Sequence, residues 1–139
     1  MKNMDHLPSE IIFESKDINM LRTIYENIPK NALEYGGILC GNKNLKGTIN
    51  KVEKIIPINS LYGQKDTYTL DIKIISNKFN NLCSPYNIIG IWHTHPENSP
   101  FPSEQDKKVI AKLKMIGCVV TNNIVCFKGI NNNVKITIF

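Results

Sequence analysis

His93 and His95 stand two residues apart at the end of the apolar run Ile88-Ile89-Gly90-Ile91-Trp92. In an extended strand such residues point to one side while Thr94 points to the other. Two imidazoles offered at a strand end can share one divalent ion, and a third ligand must then come from another element. Asp106 is the candidate, because Ser103 to Asp106 has the spacing of a helix capping box and follows a short loop stiffened by Pro100 and Pro102. Two imidazoles and one carboxylate form a common catalytic zinc set that keeps a position for water. Oxygen-activating iron takes the same ligand types, so residue types alone leave the metal open.

A zinc-held water needs a base to take its proton and pass it to the leaving amine. Glu34 is expected to fill that role, since it precedes Gly36-Gly37 at the start of the apolar run Ile38-Leu39-Cys40, a strand expected to neighbour the histidine strand. Ser103, near the exposed amides of a first helical turn, would donate a hydrogen bond to the oxyanion of a tetrahedral intermediate. Each residue alone has an ordinary role as well: Ser103 with Asp106 caps a helix, Glu34 is a surface carboxylate, and His6 has no partner in the pattern.

These residues must be positioned by the elements around them. Glu10 to Phe13 reads as a strand, and Ser15 as the cap of a helix with Ile18, Leu21, Ile24, Tyr25 and Ile28 on one face, ended by Pro29. A strand ends at Gly41, the stretch Asn42 to Thr48 turns, and Lys51 to Ile58 returns. Thr67 to Leu70 reads as a short extended piece before a helix from about Asp71 to Asn81. The histidine strand lacks alternation, as expected for a strand covered on both faces. After it come a helix running from Ser103 to a terminal Gly117, then strands over Cys118 to Thr121, Ile124 to Lys128 and Val134 to Ile138. The order predicts an α/β domain with one mixed sheet and helices packed on it.

The 139 residues suit a single domain over 1–139, and the 42% apolar and 21% charged content is that of a folded chain. The N-terminal segment lacks the apolar stretch of a signal peptide, and no apolar run approaches the length that crosses a bilayer, so a cytoplasmic location without membrane contact is expected. Cys40, Cys83, Cys118 and Cys126 contain no Cys-x-x-Cys pair and are expected to be reduced and structural. The net charge of +5 comes almost wholly from scattered lysines, with Arg22 the only arginine. Phosphate and base recognition favours arginine forks or a concentrated basic stripe, so no nucleic-acid partner is expected.

The string Trp92-His93-Thr94-His95-Pro96 with Ser103 and Asp106, preceded by Glu34 in Glu34-Tyr35-Gly36-Gly37, resembles the metalloprotease signature of the JAMM (MPN+) family. The resemblance implies a fold similar to cytidine deaminases, with His93, His95 and Asp106 matching the ligands of one Zn2+ per chain, Glu34 the base and Ser103 the oxyanion-stabilising residue. It implies a zinc metallo-isopeptidase or metallopeptidase, cleaving after the C-terminal glycine of a ubiquitin-like protein whose tail binds as substrate. Two alternatives stay open: a hydrolase releasing an amino acid or sulfur-bearing group from a sulfur-carrier protein, and a non-catalytic MPN scaffold that binds partners. Pairing of two copies into a homodimer is also left open.

Overall fold

Glu10 to Phe13 form strand β1, in which Ile11 and Phe13 are buried and their neighbours half-buried. In a computed structural model the described residues are 10–28, 35–43, 49–58, 80–95, 101–113, 115–128 and 132–138, and the side chains of 43, 80, 105, 106, 109, 112, 113 and 132 lie outside that description. Helix α1, Ser15–Asn27, buries Ile18 and Leu21 on the predicted face. Its cap differs from expectation: Glu14 is the N-cap, Ser15 the first helical residue, and the Glu14 side chain makes no capping bond. The Asp17 carboxylate instead accepts a hydrogen bond from the Glu14 backbone, one half of a capping box. The helix stops before Pro29 because Ile28 takes an extended conformation (φ −79°, ψ 130°), as a residue before proline prefers.

Strands β2 (Gly36–Lys43) and β3 (Ile49–Pro57) form an antiparallel pair. The piece expected at Thr67 to Leu70 and most of the helix expected over Asp71 to Asn81 lie outside the described residues. What is described there is a single helical turn, α2 (Asn80–Cys83). Strand β4, Asn87–Thr94, includes His93, and α3, Glu104–Leu113, follows. Gly117 does not end that helix but lies inside β5 (Ile116–Val120), which is followed by β6 (Ile124–Lys128), β7 (Asn132–Asn133) and β8 (Lys135–Ile138).

The eight strands make one mixed sheet in the order β7-β6-β5-β4-β2-β3-β1-β8. Strand β4 sits inside it, antiparallel to β2 and parallel to β5. Strands β7 and β8 stand at opposite ends of this order, although Val134 alone separates them in the chain. The Val134 amide donates to the Cys126 carbonyl (2.9 Å), while Lys135 pairs with Glu10. The last segment thus bridges both sheet edges and curls the sheet back on itself. One face buries Phe13, Leu39, Trp92 and Val120 under Ile18 and Leu21 of α1. The other buries Ile38, Cys40, Ile91, Val119 and Phe127 under Cys83 of α2 and Ile110 of α3. The mixed sheet with packed helices agrees with the sequence.

The cysteines do not. All four are paired, Cys40 with Cys83 across 43 residues and Cys118 with Cys126 across 8, and none is free. The register sets Cys118 directly opposite Cys126, with Cα atoms 4.2 Å apart, which is what overturns the expectation of reduced thiols for that pair. Cys83 is brought beneath the middle of β2, with its Cα 5.2 Å from that of Cys40.

Two outcomes follow from this packing. A Cβ at Gly37 would lie 2.0 Å from the Ile56 carbonyl oxygen. Gly37→Ala should therefore lower stability by about 2–3 kcal/mol in urea unfolding, and an unchanged midpoint would show that β2 and β3 are not so closely apposed. Burial raises the Asp17 carboxyl above its ordinary 3.8, against the lowering by its backbone hydrogen bond and Lys16. The folded chain then binds more protons than the unfolded one between the ordinary and the raised value, so this group costs stability as pH rises through that window. Asp17→Asn keeps an oxygen for the Glu14 amide and should raise the melting temperature at about pH 7, with the gain vanishing near about pH 3.

Candidate functional site

Strand β4 is clamped to the residue before β2 by a reciprocal pair of bonds. The Thr94 amide donates to the Tyr35 carbonyl (2.7 Å) and the Tyr35 amide donates to Thr94 Oγ1 (3.0 Å). Gly36 pairs with His93, and the Ile58 amide donates to the Gly36 carbonyl (2.7 Å). Tyr35 also packs its ring against Trp92, with centroids 6.1 Å apart. The clamp fixes Thr94 towards one face and leaves the residues on either side of it turned towards the other.

His93 is 3% exposed and His95 half-buried, and their Nε2 atoms lie 3.1 Å apart. The rings are tilted by 57°. At that separation one ring nitrogen can donate to the other, the direction depending on the tautomers. His93 pairs with Val119, whose side chain belongs to the core under α3, so the imidazole faces the layer that carries that helix. Ser103 lies immediately before α3, exposed, and its carbonyl accepts the Lys107 amide (3.0 Å), as the predicted helix start requires. Phe101, 70% exposed, stands two residues earlier.

The predicted site residues therefore divide. His93 and His95 are brought together, and Ser103 stands at the helix start. Asp106 lies in the first turn of α3 but its side chain is outside the described residues, as is the whole of Glu34. Among the described residues no group of three or more His, Cys, Asp or Glu side chains could hold a metal ion. Among the described residues the two imidazoles provide half of a tetrahedral shell, one short of the three protein ligands a catalytic zinc needs. Among the described residues this finding corrects the expectation of a bound Zn2+ and, with it, that of a zinc metallo-isopeptidase. The sequence reading also missed the Tyr35–Thr94 clamp and the cysteine pairs. A signal for one pair was present, since Cys118 and Cys126 are equidistant from Asn122 in a turn flanked by two strands.

A curled mixed sheet with helices on both faces, and a histidine strand running towards a helix start, is the JAMM/MPN-like α/β fold. The family of prokaryotic homologs of the JAB domain matches residues 19–131, and the chain belongs to that family. The solution structure of a Desulfitobacterium hafniense protein resembles it with a TM-score of 0.65 and 18% identity, covering 93% of this chain and 92% of that one. A structure described as a metalloprotease-like JAMM zinc site in the proteasome and signalosome gives 0.59 and 14%, covering 94% and 98%. The crystal structure of a JAB1/MPN domain protein from Archaeoglobus fulgidus gives 0.56 and 18%, covering 94% and 99%. At these identities the likeness is one of fold. No curated protein sequence matches.

Replacing Thr94 tests the clamp. Thr94→Val keeps the shape but leaves the Tyr35 amide without its acceptor, so stability should drop by about 1–3 kcal/mol and hydrogen exchange at Tyr35 should accelerate. Unchanged exchange at Tyr35 would show that the bond contributes nothing to holding β4.

Proposed function

We propose that this protein is a non-catalytic binding module of the JAB/MPN fold, which uses the end of the histidine strand and the start of α3 to engage a partner protein. The observation that carries the reading is the absence, among the described residues, of any three-member His, Cys, Asp or Glu group able to hold a metal ion. The chain, by contrast, aligns over nearly the full length of three solved structures. His93 and His95 meet at the strand end with their Nε2 atoms 3.1 Å apart.

The partner class we propose is the extended C-terminal tail of a ubiquitin-like or sulfur-carrier protein, bound and not cut. Such a tail binds through main-chain hydrogen bonds and side-chain pockets. Exposed Phe101, two residues before Ser103, offers an aromatic anchor of the type that concentrates binding energy. The assembly context named for one structural relative, the proteasome and signalosome, makes a multi-protein setting the natural place to look.

The test combines elemental analysis with binding and cleavage assays on ubiquitin-like fusions. The expected result is far less than one zinc per chain, no chelator-sensitive cleavage, and saturable binding that a chelator leaves unchanged and Phe101→Ala weakens. Stoichiometric zinc with chelator-sensitive cleavage would overturn the non-catalytic reading. Absence of both cleavage and binding would retire the proposed partner class alone.

A further inference from the structure

The geometry points to a redox latch: the Cys40–Cys83 disulfide is opened selectively by a dithiol reductant while Cys118–Cys126 stays closed, and its opening loosens the strand that carries His93. The two bonds differ in what must move to expose them. Cys118 and Cys126 face each other inside the β5–β6 ladder, flanked by the pairs Gly117 with Phe127 and Val119 with Val125. β5 is further bonded to β4, and β6 to β7. That bond becomes reachable when the sheet itself separates.

Cys83 is buried but ends α2, a helix of four residues. Around it Asn81, Leu82, Ser84 and Pro85 are exposed, Leu82 to 46%. Besides the disulfide, described polar ties from this turn to the sheet are the long bonds from Lys54 Nζ to the carbonyls of Leu82 (3.5 Å) and Ser84 (3.3 Å), both at exposed positions. A short turn held this way opens locally at far lower cost than a ladder with neighbours on both sides. Opening it presents the Cys83 sulfur.

Cys40, at the other end of the bond, occupies the point where β2 changes register against both neighbours. Its pairing shifts between Leu39 and Cys40 on the β4 side and between Cys40 and Gly41 on the β3 side. Strand β4 begins at Asn87, four residues beyond Cys83. One covalent bond therefore pins both the register slip and the segment leading into the histidine strand.

The exchange balances in two steps. A thiolate of the reductant attacks the Cys83 sulfur, forming a mixed disulfide and expelling the Cys40 thiolate, which takes up a proton. The second thiol of the reductant then attacks its own sulfur in the mixed disulfide, loses its proton, and releases Cys83, which is protonated in turn. Two electrons and two protons pass from the dithiol to the protein.

The experiment treats the oxidised full chain with dithiothreitol, quenches with an alkylating agent, and maps labelled peptides alongside hydrogen exchange. Cys40 and Cys83 should label about tenfold or more faster than Cys118 and Cys126. Exchange across residues 87–94 should rise with that labelling while residues 116–120 stay protected. In a C118A/C126A background the same rise should accompany reduction of the remaining bond. The proposal falls if Cys118 and Cys126 label first, if all four label together, if exchange over 87–94 does not change, or if the protein cannot be oxidised to two disulfides.

Discussion

The structure depends on a register slip at the middle of β2. Leu39 pairs with Gly90 and Cys40 with Ile88, so Ile89 is an extra residue in β4. Cys40 pairs with Lys54 and Gly41 with Val52, so Glu53 is an extra residue in β3. A bulge of this kind reverses the alternation of the strand that carries it. Ile89 and Ile91, two residues apart, consequently pack on opposite faces of the sheet, Ile89 with Trp92 and Ile91 with Val119. Without the slip His93 would share the face of Ile89 and point into the core beneath α1. With it, the imidazole turns towards the layer of α3. Gly41 makes the slip possible, because a Cβ there would fall 1.9 Å from the Lys51 carbonyl oxygen.

A second constraint is the way the sheet ends. Open strand edges expose unpaired main-chain groups and invite association. Here the segment 132–138 serves both edges in succession, antiparallel to β6 and then parallel to β1, with Val134 at the changeover. Thr137 donates its hydroxyl to the Glu10 carboxylate across the β1–β8 pair, adding a side-chain tie where the parallel ladder holds only four residues of each strand. The arrangement couples the first strand to the last, so that α1, which follows β1, packs over a face to which both chain regions contribute.

Much of this was legible in the sequence, and what was not has physical causes. The burial of β4 on both faces followed from its unbroken apolar run, and the end of α1 from Pro29. The start of α3 followed from Ser103. Its end did not, because Gly117 mimics a helix-terminal glycine while serving instead as the close-packed second residue of β5. The bulge at Ile89 leaves no mark in a run that is apolar throughout, so the face presented by His93 could be inferred relative to His95 but not relative to the helices. The pairing of Cys40 with Cys83 depends on the path of α2 under the sheet, which no local spacing reveals. Of the site, the convergence of His93 with His95 was legible because it is a local consequence of strand periodicity.

That last point bears on how a signature relates to chemistry. The His93 and His95 nitrogens are placed by the pleat of β4, by its pairing with Gly36 and by the Thr94 clamp to Tyr35, all of them main-chain or packing interactions. None of these requires an ion, and the two rings approach to 3.1 Å. A strand of this design will therefore keep two imidazoles converged whether or not a third ligand completes a metal site. A fold hosts a function only through the groups assembled at its site, and the deciding quantity here is the number of ligands brought together, which among the described residues stops at two. The same rigidity that would orient ligands in an enzyme leaves this strand with a fixed end whatever else the site assembles.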